Sequence, residues 1–324
     1  MPAGATIKVH LDTDIGGDAD DLCALAMLLG SPGVEIVGIT TCADFDGSRA
    51  AFVHHALRLA GRSGTPVATG TYGFLGGMPH DIQNEDGRYW PGLQTVAPSP
   101  PGSALDLLCK SAASGATVIA IGPYTNLALA EASRPGVFAN CNVVLMGGYT
   151  GLPAAGLPQM PASWDYNVQC DTVAARIVYE RLDPLIVPLG ITLEVWLRGE
   201  ELPELRSGGP LSNLVALQAE LQGADSRVDR ALVELQGADS GVSPLLAANA
   251  GLPRDLLNFQ YDPLACAAAL GWDCVEVSQV RLAVRDIGGY LQLDAAEDGP
   301  LRRVVTAVDS AAFSARWREC VRRV

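Results

Sequence analysis

The sequence predicts an α/β fold with an open, mainly parallel, Rossmann-like sheet flanked by helices. Apolar runs of strand length alternate with amphipathic stretches of helical length, in the βαβα order that is typical of parallel sheets. Acidic and polar residues follow several of the expected strands, at the sheet ends where such folds bind ligands. The 324 residues, of which 48% are hydrophobic and 18% charged, can bury a large core, and we expect one domain over residues 1–324.

The first structural unit is expected to be a strand, an acidic loop and a helix within residues 7–30. Val9 and Leu11 alternate with polar residues, which predicts a strand, and glycines then turn the chain. Apolar residues recur at helical spacing from Asp20 to Gly30, which predicts a helix that Asp20 opens.

The rest of the chain continues this alternation and closes with strands that are expected at a sheet edge or in a small C-terminal β-hairpin region. Strands are expected at residues 34–43, 65–70, 116–122, 142–148, 185–195, 275–284, 290–294 and 301–309, and helices at residues 49–60, 127–133, 172–180, 211–242, 263–271 and 310–324.

The acidic loop is rich in potential ligand residues, because it holds five aspartates within ten positions: Asp12, Asp14, Asp18, Asp20 and Asp21. Capping of a helix N-terminus could account for Asp20 or Asp21. It does not account for the other three, since close carboxylates raise one another's pKa unless a cation neutralises them. Oxygen ligands without nearby His or Cys residues favour Ca²⁺ or Mg²⁺ over zinc. The loop therefore predicts a site for a hard divalent cation.

Charge and composition narrow the classes of partner. A net charge of −14 repels phosphate backbones, so nucleic acid and anionic membranes are poor partners and a neutral or cationic small molecule is acceptable. The scarcity of lysine, present only as Lys8 and Lys110, weakens any phosphate-binding hypothesis. Eight scattered cysteines without a CxxC pair predict reduced thiols, and no signal peptide or membrane-spanning run is apparent, so we expect a cytoplasmic protein.

Other polar residues at expected strand ends have two interpretations each. Thr125 and Asn126 could cap the helix that follows them, and Asp262 could cap its own helix. Asp165 and Asn167 precede a helix, where hydroxyl-binding groups and helix caps look identical in sequence.

Two further features have no regular pattern of this kind. The Gly- and Pro-rich segment from Tyr72 to Pro101 contains His80 and is longer than most connections, which predicts a lid or binding loop. The hexamer LQGADS occurs twice, beginning at Leu221 and Leu235, and we interpret it as a local duplication in a helical segment, with no function attached.

Seven motifs along the chain resemble, in order, those of the inosine-uridine-preferring nucleoside hydrolase family. They are DTDIGGDADDLCAL, GITT, AIGPYTNLALA, VVLMGGY, WDYNVQCDTVAA, VPLGIT and YDPLACAAAL. The resemblance covers nearly the full length. It implies an enzyme that hydrolyses the N-glycosidic bond of a ribonucleoside with the help of Ca²⁺, on an open parallel sheet, in a homodimer or homotetramer.

The resemblance also implies roles for residues at matching positions. Calcium would be ligated by Asp14, Asp21, the backbone carbonyl of Thr125 and the carboxylate of Asp262. Asp14 would also take the proton of the attacking water. The ribose hydroxyls would be bound by residues that match the family's sugar-binding positions: Asp20, Asn167 and, near the 5′-hydroxyl, Asp165.

The acidic motif departs from the family pattern in length. It is two residues longer than the usual DxDxGxDD, so Asp18 competes with Asp20 and Asp21 for the two closing positions. The loop after GITT reads ADFD, so Asp44 or Asp46 is expected to take the substrate-binding role of that loop.

A third departure concerns the leaving base. Many family members have a histidine before the metal-binding DP, as leaving-group acid, and this chain has Tyr261. We expect Tyr261 to stack on the base, and the segment with His80 to contribute to base recognition, with purine or modified nucleosides as substrates.

Two alternatives come from other classes of protein. LDTD at a strand end also resembles the nucleophile motif of haloacid-dehalogenase-like phosphatases, but neither Lys8 nor Lys110 is placed to balance a phosphoryl group. A binding protein for ribosyl ligands, with the metal site but without turnover, is the other alternative.

Overall fold

A computed structural model of the protein describes residues 6–44, 46–76, 88–225 and 251–324. The strands are β1 (Ile7–Thr13), β2 (Val34–Thr41), β3 (Val67–Ala68), β4 (Thr117–Ala120), β5 (Val143–Met146), β6 (Leu185–Val187), β7 (Trp196–Arg198), β8 (Leu256–Phe259), β9 (Val275–Ile287), β10 (Tyr290–Ala295) and β11 (Leu301–Val308). The α-helices are α1 (Asp20–Gly30), α2 (Ser48–Leu59), α3 (Ser103–Ala113), α4 (Thr125–Ser133), α5 (Tyr166–Cys170), α6 (Thr172–Arg181), α7 (Leu189–Thr192), α8 (Leu202–Arg206), α9 (Pro210–Asp225), α10 (Tyr261–Ala269) and α11 (Ser310–Val321).

The main sheet has nine strands in the order β10-β9-β11-β6-β5-β4-β1-β2-β3. Strands β1 to β6 are mutually parallel and lie in the order 3-2-1-4-5-6. In this order the chain moves outward in opposite directions from β1 and β4, and the crevice beyond their carboxyl ends is where open α/β sheets bind ligands. The expected mainly parallel sheet is therefore confirmed.

Helices cover both faces of the sheet because the strand side chains alternate between two cores. In β4, Ile119 belongs to one core, while Val118 and Ala120 belong to the other. The first core includes residues of α1, α2, α10 and α11, and the second includes residues of α3, α4 and α6. Gly30 is needed at the end of α1, since a Cβ there would lie 1.9 Å from the carbonyl oxygen of Cys320 in α11.

The C-terminal strands extend the main sheet and also form a hairpin at its edge. β11 pairs in parallel with β6, β9 pairs antiparallel with β11, and β10 closes the edge. Gly288 and Gly289 join β9 to β10 with positive φ angles of 62° and 89°, as tight hairpin turns require. The expected strands at an edge or in a hairpin are confirmed.

The single strand expected over residues 185–195 is wrong beyond Val187. Pro188 follows β6 and has no N–H to donate to a neighbouring strand. The N–H of Leu189 donates instead to the carbonyl oxygen of Gly148 at 3.1 Å, and α7 begins there. The antiparallel pair β7 and β8 was not expected, because its partners are distant along the chain.

Several sequence features can be placed only in part. Helix α9 accounts for the segment expected to be helical as far as residue 225, which includes five residues of the first LQGADS copy; the second copy lies outside the described residues. All eight cysteines, each within the described ranges, are free thiols, and six of them are buried. No helix in the described part of the chain is both long and apolar enough to cross a membrane.

Candidate metal and nucleoside site

The acidic loop lies at the carboxyl ends of β1 and β4. Asp14 directly follows β1, and Asp20 and Asp21 are the first two residues of α1. The chain approaches closely on the β4 side, where a Cβ on Gly122 would lie 2.6 Å from both Asp14 Oδ1 and Cys42 Sγ. A glycine is therefore required for the end of β4 to pack against the Asp14 carboxylate.

Three buried carboxylates converge at this crevice. One oxygen each of Asp20, Asp21 and Asp262 lies within 4.8 Å of the others. Asp262 is the second residue of α10, which packs beside α1. We call these three residues the carboxylate cluster. Its donor set of oxygen atoms at this separation can hold a divalent cation.

Burial and repulsion from nearby carboxylates raise the pKa values of all three carboxylates in the cluster. Burial, followed by the charges of Asp14 and Asp20, raises the pKa of Asp21 well above its ordinary value. Burial, followed by the charges of Asp20 and Asp21, does the same to the pKa of Asp262. The pKa of Asp20 is likewise raised by burial and then by Asp18 and Asp14. A bound cation would relieve this repulsion.

The charge of Asp14 raises the pKa values of the cluster residues, but Asp14 is not one of the three members of the cluster. Burial raises the pKa of Asp14, while the positive charge of Arg49 lowers it. The resemblance assigns Asp14 to the metal and Asp20 to the ribose, whereas the geometry groups Asp20 with the other two carboxylates.

Arg49 is a site residue that the sequence analysis missed. It is 6% exposed, and its guanidinium donates to the carbonyl oxygens of Ile15 (2.9 Å) and Ala43 (3.1 Å), in the loops after β1 and β2. Burial opposes its charge, but the charges of Asp14 and Asp21 keep its pKa raised. An arginine in the first turn of α2, directly after the acidic ADFD segment and its glycine and serine, was the available signal.

Thiols lie near the carboxylates, contrary to the expectation of a loop without nearby cysteines. Burial raises the pKa of four thiols most, and aspartate charges raise each of them further: Cys23, Cys42, Cys170 and Cys266. A protonated thiol is a poor metal ligand. The grouped ligand atoms are carboxylate oxygens, which fit Ca²⁺ or Mg²⁺ better than zinc.

Tyr261 begins α10 and directly precedes Asp262 of the cluster. It is partly buried, and its ring centroid lies 5.5 Å from that of Phe259. Burial, then the charges of Asp18 and Asp20, raise the pKa of Tyr261 well above 10, so its hydroxyl stays protonated. Asp18 itself is exposed in the loop.

Asp165 and Asn167 lie at the carboxyl end of β5. Asp165 Oδ2 accepts a hydrogen bond from the N–H of Gly148 at 2.6 Å, and Oδ1 is buried without a partner among the described residues. Burial raises the pKa of Asp165 to about 7. The Asn167 amide donates to the carbonyl oxygens of Ile121 (2.9 Å) and Met146 (3.2 Å), which fixes its orientation.

The helix-cap alternatives for α4 are wrong. Tyr124 is the N-cap residue, and the hydroxyl of Thr125 donates instead to Asp171 Oδ2 at 2.6 Å. Asn126 donates to Asp12 Oδ1 at 2.8 Å and to the carbonyl oxygen of Thr41 at the same distance. For α10 the N-cap residue is Gln260 rather than Asp262.

Asp44 lies in the loop after β2, at the start of α2. Its buried carboxylate accepts hydrogen bonds from four protein donors, namely the hydroxyl of Thr41 and the N–H groups of Gly47, Arg49 and Ala50. Substrate binding by Asp44 stays a prediction. Asp46 accepts a bond from the N–H of Ser48 at 3.0 Å, and His80 lies outside the described residues.

Comparison with known proteins identifies a family. The family model of the inosine-uridine preferring nucleoside hydrolases matches residues 9–315. Pyrimidine-specific ribonucleoside hydrolases RihA, from Salmonella paratyphi A and from Escherichia coli O139:H28, are each 29% identical over 222 residues, which is 65% of this chain and 69% of the relative.

Solved structures agree at the level of the fold. A plant nucleoside hydrolase has a TM-score of 0.73 at 21% identity, covering 98% of this chain and 99% of its own. A purine-preferring ribonucleoside hydrolase from Gardnerella vaginalis has a TM-score of 0.74 at 19% identity, covering 97% and 98%. The chain is therefore an enzyme of the inosine-uridine preferring nucleoside hydrolase family, which hydrolyses ribonucleosides.

Proposed function

We propose that the protein hydrolyses the N-glycosidic bond of ribonucleosides to ribose and free base in a Ca²⁺-dependent reaction. The observation that carries the proposal is the carboxylate cluster, in which three buried aspartates converge with raised pKa values beside the family's sheet crevice. The family match over residues 9–315 removes the support for a phosphatase.

The metal would be held by oxygen atoms from three elements. Asp14 and Asp21 offer carboxylates from the β1–α1 unit, Asp262 offers one from α10, and Thr125 offers its backbone carbonyl. The Thr125 side chain is engaged by Asp171, which anchors the residue that would present this carbonyl. Bound Ca²⁺ would supply Lewis-acid stabilisation of nearby oxygen atoms.

In the proposed hydrolysis the water oxygen bonds to the anomeric carbon as the bond from that carbon to the base breaks. Asp14 takes the proton of the water, and a neighbouring group or solvent supplies the proton that the departing base needs. Burial raises the pKa of Asp14 and the positive charge of Arg49 opposes that rise, while the Arg49 guanidinium also donates hydrogen bonds to the carbonyl oxygens of Ile15 and Ala43. A carboxylate of raised pKa beside this fixed guanidinium is suited to act as the base for the attacking water. The remaining negative charge of the cluster stabilises the oxocarbenium-like character that develops on the ribose.

Ribose recognition is assigned to polar groups around the crevice. Asp20 and Asn167 would hold ribose hydroxyls, and Asp165 would lie near the 5′-hydroxyl. The fixed amide of Asn167 and the unpaired, buried Oδ1 of Asp165 support these roles, because both are oriented before substrate binds.

Base recognition is assigned to Tyr261, with His80 as a further predicted contact. A purine offers Tyr261 a larger stacking surface than a pyrimidine, so we propose a preference for purine or modified purine nucleosides. The curated RihA relatives are pyrimidine-specific by name, which makes the ratio of kcat/KM for inosine and uridine the direct test of this preference.

The function is tested by a screen of nucleosides for release of reducing sugar by the metal-loaded protein. Turnover of at least one ribonucleoside, lost on chelation, is the expected result. Ribonucleoside binding without any ribose release would support the ribosyl-binding alternative instead. The cytoplasmic location, the homodimer or homotetramer and the single domain stay predictions.

A further inference from the structure

The acidic loop is held from outside by one glutamine side chain. Gln222, near the end of α9, donates its Nε2–H to the carbonyl oxygen of Gly17 at 2.7 Å. Its Oε1 accepts the N–H of Ala19 at 2.6 Å. Both ends of a single amide therefore pair with the main chain of a loop more than 200 residues away along the sequence.

Arg49 fixes the start of this loop through the carbonyl oxygen of Ile15, but the stretch from Gly16 to Asp18 is open to solvent. Gly16 has a φ of 120°, and Gly17 is exposed with no atom within 4 Å of where its Cβ would be. The N-cap residue of α1 is Ala19, whose side chain cannot accept a hydrogen bond. A glycine-containing loop loses much conformational entropy when it becomes ordered. Hydrogen bonds from the Gln222 side chain therefore contribute strongly to keeping this loop in one conformation.

The two hydrogen bonds of Gln222 fix the position at which α1 begins. The carbonyl oxygen of Ala19 accepts the N–H of Cys23 at 2.9 Å, which starts the helix. Asp20 and Asp21 are the next two residues, so the position of Ala19 determines where two of the three cluster carboxylates lie.

We propose that Gln222 is a positioning residue that preorganises the carboxylate cluster for cation binding; the inference rests on the proposed function. The amide is suited to this role because it donates and accepts at once. A glutamate at position 222 could accept from Ala19 but not donate to Gly17, and it would bring a negative charge toward Asp18 and Asp20.

The same helix supplies a matched control. Gln218 lies one helical turn before Gln222, is 2% exposed, and donates to the carbonyl oxygen of Tyr89 at 2.9 Å. It therefore resembles Gln222 in residue type, helix and hydrogen bonding to a loop, but it holds a different loop.

The experiment titrates Ca²⁺ into metal-stripped wild-type, Gln222→Ala, Gln222→Glu and Gln218→Ala proteins by calorimetry. Outer residues that orient metal ligands typically contribute 10–100-fold to affinity. We expect Gln222→Ala to raise the Kd for Ca²⁺ about tenfold, Gln222→Glu to raise it by less because the added carboxylate attracts the cation, and Gln218→Ala to change it less than about twofold. Equal Kd values for Gln222→Ala and wild type, or equal losses in Gln222→Ala and Gln218→Ala, would overturn the proposal.

Amide hydrogen exchange of the metal-stripped proteins provides a readout that needs neither metal nor turnover. Faster exchange confined to residues 19–23 is expected in Gln222→Ala and not in Gln218→Ala. Unchanged exchange there in Gln222→Ala overturns the positioning role. Absence of ribose release by the wild type would refute the proposed function, while the exchange result would still decide the role of Gln222.

Discussion

Two kinds of buried aspartate lie within this one sheet crevice, and they differ in how the protein satisfies them. Asp44 and Asp171 each accept four hydrogen bonds from protein donors; for Asp171 these are the N–H groups of Leu75, Gly76 and Ala174 and the hydroxyl of Thr125. Asp21, which accepts a hydrogen bond from the hydroxyl of Thr13, and Asp262 instead lie near other carboxylates, whose repulsion adds to burial in raising their pKa values.

This difference distinguishes aspartates that hold loops and helices together from aspartates that could bind a cation. A carboxylate surrounded by four donors is a structural connector, and removing it leaves those donors without partners. A buried carboxylate that mainly faces other carboxylates costs free energy until a cation arrives. Both kinds follow strands in the sequence, so only the three-dimensional partners distinguish them.

The largest expected effect follows from neutralising one cluster member. Asp21→Asn removes a ligand charge while keeping the side-chain shape, so the metal and the activity should be lost together. We expect kcat/KM to fall about 10²–10³-fold, the range seen when one electrostatic stabiliser is removed. Metal content and turnover are measured on the same sample.

Asp44→Asn is the matched control, since it neutralises a carboxylate of the saturated kind. It should keep the metal but lower the free energy of unfolding by about 1–3 kcal/mol, because buried donors lose their acceptor. Loss of metal in Asp44→Asn, or retention in Asp21→Asn, would contradict the comparison.

Asp20 tests the boundary between metal and sugar binding, because it belongs to the cluster but resembles the family's ribose-binding position. Asp20→Asn should keep the metal and weaken binding of a ribose analogue about tenfold, as expected for a lost hydrogen bond to a charged group. Calorimetry with each ligand checks this. Loss of the metal would make Asp20 a ligand, and intact affinity for the analogue would reject the sugar role.

Tyr261 extends the comparison to the aromatic group beside the cluster. Stacking predicts that Tyr261→Phe keeps most of kcat/KM, whereas Tyr261→Ala loses about tenfold, which is near 1.4 kcal/mol for a lost aromatic contact. Steady-state kinetics on a purine nucleoside decides. If Phe is as damaging as Ala, the hydroxyl is the working group, and if neither change matters, the residue is structural.

The smallest expected effect is a difference in the pH dependence of stability. The raised pKa values of Asp20, Asp21 and Asp262 mean that the metal-free fold binds more protons than the unfolded chain above about pH 4. Its stability therefore rises as pH falls through the raised pKa range. From about pH 7.5 to 5.5, we expect metal-stripped protein to gain about 2–4 °C in Tm relative to calcium-loaded protein.

The titration of His10 does not change the difference in Tm between the two samples. Burial lowers its pKa to about 3, so acidification below the ordinary histidine pKa costs folding free energy in both samples alike. The difference between the two Tm curves isolates the cluster. Parallel curves would mean that protons and calcium do not compete for these carboxylates.

Much of this architecture could be predicted from local sequence. The alternation of apolar and polar residues gave β1, and the helical spacing gave α1 from Asp20 to Gly30. The expected end of a strand was wrong where a single residue stops the pairing, as Pro188 does after β6. The pairing of β7 with β8 could not be predicted locally, because it depends on contacts between distant segments.

The location of the carboxylate cluster could be predicted in part, because several aspartates lie close together in the sequence. Five aspartates in ten positions indicate a cation site whatever their individual roles. Arg49 and Gln222 were missed because each acts through backbone carbonyls or N–H groups of remote loops, a partnership without a local motif. Cys42, Cys170 and Cys266 were missed for the same reason, since they approach the carboxylates from different elements, whereas Cys23 follows Asp21 by two residues in α1.

The central claim, that a calcium ion neutralises the carboxylate cluster and supports hydrolysis, is tested most directly by elemental analysis of the purified protein with turnover before and after chelation. The account predicts one Ca²⁺ per chain, loss of ribose release on chelation, and recovery when Ca²⁺ is restored. Stoichiometric zinc, or full activity in chelated protein that contains no metal, would contradict it.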